Sequence, residues 1–386
     1  MSRGRTAIII GAGIGGLAAG LALRRAGWHV RIHERASSPR ELGFGLGLAP
    51  NALLALSELG VADPVVRAGA EIARVEFRYL NGRVVRRLNL NVGLPSVVAL
   101  RRDLHGALLR AVGDEAITLG REATSFSETA HGVTVDFTDG GREQGTVLIG
   151  ADGVHSAVRR SLHPNEPPPR PSGFCAIRGV AYGVGEHLGG LSGVGYLDDG
   201  IEAATIRASS DGVYWYMSLR SQDVVGTEPA AILNERWRAF EPGLRAILLA
   251  TRPDDMRFDL LFERDPLRSW GAGHVTLLGD AAHPMLPHTG QGAAQALEDA
   301  VALGLSLGPA SDVERALRHY EAVRCRRTAG FARMGRRIAR ITTTRNVAIR
   351  TVRTLGLRWT PAWMLGLVAR RFERDPHREL RSMAAV

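Results

Sequence analysis

The sequence predicts an α/β fold: a discontinuous Rossmann-like domain that binds a dinucleotide, an inserted and mainly antiparallel β layer, and a C-terminal helical region. The nucleotide domain is predicted by the first part of the chain. An apolar strand, 6–10, leads into a glycine turn, 11–16, and an apolar helix follows to Arg25. A second strand ends at Glu34, close to the spacing of an acid that binds ribose. The β layer is predicted by the many short strands of 172–262, which follow a proline-rich boundary.

The glycine turn is the first candidate binding site. Gly11 permits the tight turn, Gly13 lets the backbone approach a pyrophosphate, and Gly16 lets the helix pack on the strand. Free N–H groups and the positive end of the helix dipole would receive the phosphates. The candidate ligands of the dinucleotide here are Gly11, Ala12, Gly13, Gly15, Gly16 and Glu34.

Length and composition limit the possible classes. With 386 residues the chain is long enough for two domains or one elaborated domain. Its two cysteines, Cys175 and Cys325, match no metal-ligand or disulfide spacing, so we expect a reducing compartment and no metal site. We find no apolar core of a signal peptide and no apolar run of about 18 residues. A cytoplasmic protein without a membrane partner is expected.

The net charge of +10 raises the question of nucleic-acid binding. All 49 basic residues are arginine, which indicates the codon usage of a GC-rich genome rather than selection for a phosphate-binding face. General attraction of anions is the simpler interpretation, and no nucleic-acid partner is expected. The absence of lysine also excludes a P-loop lysine and any Schiff base.

The next segments alternate between loop, helix and hairpin. Alternating glycines in 42–51 indicate backbone held close to a flat group or to another strand. Asn51 is predicted to cap a helix over 52–59. The stretch 71–90 reads as two strands around an Asn-Gly turn, and we expect this hairpin to join a second sheet.

A polar loop after the next strands is the second candidate site. A helix is predicted from Arg101 to Val112, and strands at 133–137 and 146–149 are predicted to form a hairpin-like pair. The second strand runs into the loop 150–159, a geometry typical of contact with a ligand. Asp152 in this loop has three open alternatives: it holds a ribose hydroxyl, pairs with a buried arginine, or caps the following helix.

The nucleotide-binding pattern resumes after the β layer. A strand at 275–278 precedes the motif at 279–284, and glycines at 290–292 open an apolar helix over 293–307. The free N–H groups and positive dipole end of that helix favour an anion. A long arginine-bearing helix is predicted over 312–334.

These features divide the chain into six segments. The three nucleotide-binding segments are predicted at 1–70, 97–170 and 269–335. The strands at 71–96 are predicted to join the second sheet, the substrate-binding β layer is predicted at 171–268, and the helical tail at 336–386.

Three motifs at this order and separation are G-x-G-x-x-G with Glu34-Arg35, G-A-D-G-x-x-S-x-x-R at 150–159, and G-D-A-A-H-P at 279–284. Arg101-x-x-Leu104 and Gly-Gln-Gly at 290–292 accompany them. Together they resemble the single-component FAD-dependent aromatic hydroxylases, the p-hydroxybenzoate hydroxylase superfamily, over residues 6 to about 335.

The resemblance implies roles for individual residues toward FAD. Glu34 binds the adenosine ribose with Arg35 beside the adenine, while Asp280 binds the ribitol hydroxyls. Asp152 belongs to a motif that serves both FAD and NAD(P)H. Arg101 is implied to contact the phosphate or ribitol, Ala123 the adenine, and Pro287 the isoalloxazine. The group Gly290, Gln291 and Gly292 is implied to contact the pyrimidine edge of the flavin.

The resemblance also implies the reaction. NADPH or NADH reduces FAD, O₂ adds to form a flavin hydroperoxide, and oxygen passes to an electron-rich carbon of an aromatic or polycyclic small molecule. An FAD-dependent oxidase or reductase without oxygen insertion is the alternative enzyme, and a flavin-binding sensor the non-enzymatic one. Halogenation is disfavoured because the W-x-W-x-I-P signature and lysine are both absent.

The candidate catalytic residues are His288, Tyr216 and Pro287. His288, beside Pro287, is a possible hydrogen-bonding partner of the substrate, whereas His283 is predicted to be structural. Tyr216 shares a strand face with Tyr214 and Trp215 faces away, with core packing as the alternative role. Substrate binding by arginine is possible at 178 and 207, but a surface position is the simpler interpretation.

The tail has two alternatives. Tryptophans, apolar residues and arginines mix over 347–372, which is typical either of an interfacial helix on an anionic membrane or of a helix packed on the nucleotide domain or at a dimer contact. The packed helix is favoured, and the protein is expected to be a monomer or homodimer.

Overall fold

The computed structural model describes residues 4–38, 44–90, 95–130, 132–224, 240–308, 310–361 and 364. The strands in chain order are β1 (Thr6–Ile10), β2 (His29–Glu34), β3 (Gly45–Leu48), β4 (Ala70–Glu71), β5 (Arg74–Arg78), β6 (Val84–Asn89), β7 (Val97–Leu100), β8 (Ile117–Leu119), β9 (Ala123–Thr129), β10 (Gly132–Phe137), β11 (Arg142–Gly145), β12 (Val147–Gly150), β13 (Arg170–Tyr182), β14 (Gly193–Asp198), β15 (Ile201–Arg207), β16 (Gly212–Arg220), β17 (Met256–Glu263) and β18 (Val275–Leu277). The α-helices are α1 (Ile14–Arg25), α2 (Pro50–Glu58), α3 (Ala62–Ala68), α4 (Arg101–Val112), α5 (Ala157–Leu162), α6 (Pro242–Leu249), α7 (Gly292–Leu307), α8 (Val313–Thr342) and α9 (Val347–Trp359).

A five-stranded parallel sheet lies at the centre of the nucleotide-binding part, in the order β18-β12-β1-β2-β8. Its central strand is buried on both faces, with Ile8 and Ile9 fully covered. Helices α1 and α7 pack against each other over the sheet. Because parallel strands end at the same edge, the loops that follow β1, β12 and β18 lie side by side there. The three glycine-containing motifs of the sequence sit in those loops.

A seven-stranded sheet forms the second layer, in the order β17-β13-β16-β15-β14-β5-β6. Its pairs are antiparallel except for β14 with β5. The hairpin predicted at 71–90 therefore joins this sheet, as expected. One face of the sheet is closed by a core that includes Trp215, Met217 and Leu244 of α6. The opposite face is turned to the nucleotide-binding part, and the α/β class with an antiparallel second layer is confirmed.

One predicted strand pair is wrong. The strand predicted at 146–149, now β12, does not pair with β10 but lies parallel to β1 in the central sheet. The partner of β10 in the hairpin is β11, which the sequence analysis did not identify. β11 is short and polar, with Arg142 and Gln144 exposed, so it carries no apolar signal.

Two helix boundaries also differ from the prediction. Asn51 does not cap α2: the helix begins at Pro50, its N-cap is Ala49, and the Asn51 side chain is buried inside the protein. Proline at the first helical position is favourable because its missing N–H needs no partner there. Helix α8 extends to Thr342, past the predicted end at 334, and Asp312 caps it by accepting the N–H of Arg315.

The C-terminal helices end the described part of the chain. α8 packs on α7, and α9 contacts α8 and β6. None of the residues of α9 is buried. No helix in the ranges given above is both long and apolar enough to cross a membrane. Residues 362–363 and 365–386 of the predicted tail lie outside the described residues.

Candidate functional site

The first part of the site is the glycine turn between β1 and α1. A Cβ on Gly11 would lie 2.4 Å from the carbonyl oxygen of Ala151, and one on Gly16 would lie 1.9 Å from the carbonyl oxygen of Gly11. Glycine is therefore required at both positions by close backbone packing. Gly13 has open space around its Cα and precedes α1 without a side-chain cap. The free N–H groups of the helix start form an anion site.

Beside the turn lies a pocket of about 270 Å³. Glu34, at the end of β2, points into it, and its two carboxylate oxygens accept the N–H groups of Ala12 and Ala36, each at 2.9 Å. Each oxygen retains a lone pair for a second donor. His105 of α4 fixes the turn from the other side by donating from Nε2 to the carbonyl of Ala12 at 2.8 Å. The pocket has the acid and the walls that a ribose and an adenine need, but the sequence analysis did not single out His105.

Two other residues, Arg35 and Ala123, were predicted to contact the adenine. Arg35 is exposed at the end of β2. Ala123 is buried at the start of β9. Neither lines the pocket, whose walls are Ala12, Gly13, Glu34, Ala36, Ser38, His105, Leu109, Asp114, Ile117 and Leu119. Their roles toward the adenine stay predictions.

The loop after β12 supplies Asp152. Its Oδ2 accepts the N–H groups of Ala157 at 2.7 Å and Val158 at 3.3 Å, so it caps the short helix α5. Burial raises the pKa of Asp152, although hydrogen bonds from Ser156 and the backbone oppose the rise. The capping alternative therefore has a structural basis. The buried arginine of the loop, Arg159, bonds elsewhere: to Glu166 and to the carbonyls of Ala281 and Ala282.

The loop after β18 supplies Asp280. This residue is exposed on a short turn, yet the atoms packed around it raise its pKa, while the charges of His283 and Arg101 oppose that rise. Asp280 and Arg101, predicted to contact ribitol and phosphate, are thus close enough to interact. His283 is structural, as predicted: its ring bonds to Asp299 Oδ2 at 2.5 Å and it is 3% exposed.

The start of α7 forms the far end of the site. A turn at Pro287–Thr289 leads through Gly290 to α7, which has no acidic residue in its first turn. Pro287 and Gly290 are exposed, and no atom lies within 4 Å of a Cβ built on Gly290. Gln291 is buried and holds the N-cap position. The helix start can therefore face a flat, partly anionic group without a side chain in the way.

A buried charge network holds α7 in place. Arg324 of α8 donates to Asp299 Oδ1 at 2.6 Å and also bonds Glu298, and all three side chains are fully buried. Burial alone would raise the pKa values of the two carboxyls, but the charges of Arg324, Arg327 and His283 lower both to about 2. Asn51 joins this network by donating to Glu298 Oε1 at 2.5 Å. No role was predicted for Glu298 or Asp299 from the sequence.

The face of the large sheet that is turned to α7 is aromatic. Tyr214 and Tyr216 lie side by side on β16 with their ring centroids 6.1 Å apart, and Trp215 is buried on the opposite face. The predicted orientation of this strand is confirmed. A Cβ on Gly45 of β3 would lie 2.4 Å from Tyr214 Cγ, so the glycine-rich strand packs against a tyrosine ring. The same strand pairs with β7, so both alternatives predicted for this stretch, contact with a flat group and contact with another strand, are present.

Polar groups cluster at one end of this face. Tyr216 donates its hydroxyl proton to Glu202 Oε1 at 3.1 Å. His288 Nε2 lies 3.0 Å from Ser218 Oγ and 3.8 Å from Glu202 Oε2. Since the Ser218 hydroxyl donates to the carbonyl of Cys175, its oxygen accepts the Nε2 proton of His288. The structure thus brings His288 and Tyr216 together through Glu202 of β15 and Ser218 of β16, neither of which was a candidate from the sequence.

Burial sets the protonation of this cluster. It lowers the pKa of His288 to about 4, so the imidazole is neutral near neutral pH. It raises the pKa of Glu202, although hydrogen bonds from Thr342 and Tyr216 and the charge of Arg353 oppose that rise. It also raises the pKa of Tyr216 well above its ordinary value, together with the charge of Glu202. The cluster can therefore hold or pass a proton.

The two arginines considered as substrate ligands are engaged elsewhere. Arg178 forms an ion pair with Asp259 and stacks over the ring of Phe44, 5.3 Å from its centroid. Arg207 donates to the carbonyl of Gly185 at 3.1 Å. In neither arginine is the guanidinium an isolated charge directed at α7.

Comparisons with known proteins agree with this geometry. The family model for the FAD binding domain matches residues 5–333. The aurachin C monooxygenase/isomerase of Stigmatella aurantiaca is 34% identical over 88% of this chain and 90% of its own length. The 3-hydroxybenzoate 6-hydroxylase 1 of Aquipseudomonas alcaligenes is 32% identical over 83% of this chain and 85% of its own. The crystal structure of Klebsiella pneumoniae HpxO with FAD and uric acid matches at a TM-score of 0.86 and 27% identity, and covers 99% of this chain and 96% of that one.

The fold and the site thus define a flavin-dependent oxidoreductase. The chain belongs to the family of the FAD binding domain, and it is an FAD-dependent monooxygenase of the aromatic hydroxylase type. The residues present fit FAD: the space at Gly13 is open beside the start of α1, Glu34 is placed for a ribose, and the start of α7 is open. The predicted family, fold, enzyme class and cofactor are confirmed.

Proposed function

We propose that the protein hydroxylates a small aromatic compound that carries a phenolic hydroxyl or a ring N–H. The compound would bind between the start of α7 and the face of Tyr214 and Tyr216. The observation that carries this proposal is the hydrogen bond between His288 and Ser218, because it joins the turn before α7 to the aromatic face. An apolar cluster lines the same face, formed by Phe44, Val98, Leu100, Val180, Ala208 and Tyr214. Such a lining suits a planar ring with few polar groups.

Hydrogen-bond accounting supports this substrate class. The proton of Tyr216 is committed to Glu202, so the phenolic oxygen of Tyr216 is left as an acceptor. It would accept the O–H or N–H of the substrate, and Glu202, with its raised pKa, would receive the proton through Tyr216. Loss of that proton raises the electron density of the substrate ring, which favours attack on an electrophilic oxygen. The neutral His288 would keep Ser218 and Glu202 in position.

The cofactor would provide the redox chemistry and the protein the environment. Bound FAD takes reducing equivalents from NADPH or NADH and supplies an activated oxygen from O₂. Pro287 would lie beside the flavin ring, while Gly290, Gln291 and Gly292 would direct backbone N–H groups at its pyrimidine edge. Asp280 would hold the ribitol and Arg101 the phosphates. Asp152 would hold the loop that serves both FAD and NAD(P)H. The tyrosine face would cover the ring and exclude water.

Two relatives support the substrate class. Uric acid, present in the solved structure of HpxO, has ring N–H groups, and the substrate named for the 3-hydroxybenzoate hydroxylase has a phenolic hydroxyl. Both are compact aromatic molecules. A reducing, cytoplasmic location is supported by the two unbridged cysteines, Cys175 and Cys325. A monomer or homodimer remains the predicted assembly.

The test measures coupling between NAD(P)H oxidation and oxygen insertion. The holoenzyme is mixed with each member of a panel of phenols and N–H heteroaromatics, with NADPH or NADH, under isotopically labelled O₂. We expect one compound to accelerate NAD(P)H oxidation and to appear as labelled hydroxylated product. Tyr216→Phe should keep FAD and lower kcat by about 10²-fold, since it removes the proton acceptor. NAD(P)H oxidation without label in any product would favour the oxidase or reductase instead.

A further inference from the structure

Helix α9 is oriented with Arg350 and Arg353 toward the protein and its apolar side toward solvent. Arg350 pairs with Asp198 at the end of β14 and with Asp199 in the turn that follows. Arg353 donates to the carbonyls of Leu197 at 3.0 Å and Thr342 at 2.8 Å. These contacts place the inward face of α9 against the end of β14 in the large sheet. The helix therefore packs on the protein through its charged side.

The outward face is a continuous apolar stripe. Val352, Leu355 and Trp359 stand three and four residues apart and are 70%, 49% and 71% exposed. This spacing puts them on one side of a helix. The stripe is held in this position at both ends. Asn346 caps the helix by accepting the N–H of Ile349 at 3.1 Å, and Arg86 of β6 binds the carbonyl of Leu357 at 2.6 Å. Contiguous apolar surface of this kind marks an interaction site.

The chain around the stripe is strongly basic. Between Glu321 and Glu373 the sequence contains thirteen arginines and no acidic residue. Arg340, Arg345 and Arg358 are exposed near the helix. Arg358 also stacks on Trp359, 5.6 Å from its ring centroid. A tryptophan and an apolar stripe bordered by arginines are the features of a helix that lies in the surface of an anionic membrane.

We propose that the outward face of α9 docks on the surface of a bilayer that contains anionic phospholipid. Trp359, Leu355 and Val352 would enter the boundary between headgroups and acyl chains, and the exposed arginines would neutralise lipid phosphates. A second copy of the chain is a poorer partner. It would bring a like-charged helix, and three apolar side chains offer far less than the roughly 800 Å² per partner that a standard interface buries.

The test is sedimentation of the full-length holoenzyme with vesicles. One set is phosphatidylcholine alone, and the other contains about one part phosphatidylglycerol to three parts phosphatidylcholine. We expect binding to the anionic set only, weakened by salt because screening reduces the attraction. The variant Val352→Ser, Leu355→Ser, Trp359→Ser should bind at least about tenfold more weakly. The control Leu249→Ser, Leu260→Ser changes exposed apolar residues elsewhere and should bind as the wild type does.

Three outcomes would overturn the proposal. In the first, the wild type does not bind anionic vesicles and is a dimer, whereas the triple variant is a monomer. The stripe would then be the contact with a second copy of the chain. In the second, the wild type does not bind vesicles and the triple variant melts at a clearly lower temperature. The stripe would then be the contact with residues 365–386 of the same chain. Equal vesicle binding by the triple variant and the wild type would show that the stripe takes no part. FAD content and NAD(P)H oxidation of the triple variant should match the wild type throughout.

Discussion

Asn51 Nδ2 lies 3.0 Å from Gln291 Oε1 and so joins helix α2 to the residue that caps helix α7. The same nitrogen donates to Glu298 Oε1. The position of the start of α7 therefore depends on a side chain 240 residues earlier in the chain. Because both partners are buried, neither has water as a replacement donor.

Replacing Asn51 should weaken both the fold and flavin binding. Asn51→Leu removes the donor to two buried oxygens, and we expect a loss of about 2 kcal/mol in unfolding free energy and a several-fold rise in the Kd for FAD. Asn51→Asp should be worse, because it places a carboxylate against Glu298. Chemical denaturation and flavin fluorescence titration measure the two effects. An Asn51→Asp protein as stable as the wild type would contradict the role given to this contact.

Glu34→Gln should lower FAD affinity without unfolding the protein. The amide has one oxygen where the carboxylate has two, so its NH₂ group must face the N–H of Ala12 or Ala36. We expect the Kd for FAD to rise about tenfold, the effect of losing about 1.4 kcal/mol. Titration of the apoprotein with FAD gives this value. Glu122→Gln, at an exposed position, is the control, and equal affinity of E34Q and wild type would remove Glu34 from the ribose site.

Arg324→Met should be the most destabilising of these substitutions. It leaves Glu298 and Asp299 as buried charges that have lost their common cation, at a cost of about 3–5 kcal/mol. Arg326→Met changes the same residue type at an exposed position of α8 and should unfold as the wild type does. Thermal unfolding of the two variants tests this. A small shift for Arg324→Met would mean that the carboxyls find other partners or take up protons.

The sequence predicted the parts of the site that are local in the chain. The turn from β1 to α1 and the end of β2 were identified correctly because strand, glycines, helix and Glu34 lie within one short segment. The pairing of Asn51 with α7, and of α8 with Glu298 and Asp299, connects residues far apart, and no spacing rule predicts such contacts. The same limit explains why β12 was given β10 as a partner: a parallel neighbour such as β1 is set by tertiary structure.

The polar cluster was half predicted for the same reason. Tyr216 and His288 were chosen from their own segments, where the strand face and the position after Pro287 were visible. Glu202 and Ser218 connect them only through the register of β15 and β16, in which these two residues are direct partners. Register depends on the pairing of whole strands, so their approach to His288 became apparent only in the fold.

The buried imidazole of His288 should make stability depend on pH. Burial lowers its pKa from 6.5 to about 4 in the folded protein. The unfolded chain therefore binds a proton between these pH values and the folded protein does not. The contribution of this residue to stability is complete above pH 6.5 and falls by about 3 kcal/mol as the pH drops toward 4.

His288→Gln has no such proton, so its stability should decline less over that range, while His29→Gln, at an exposed position, should follow the wild type. Urea denaturation at a series of pH values measures the slopes. Parallel curves for His288→Gln and wild type would show that folding does not lower the pKa of His288, and the effect of burial on this imidazole would then be wrong.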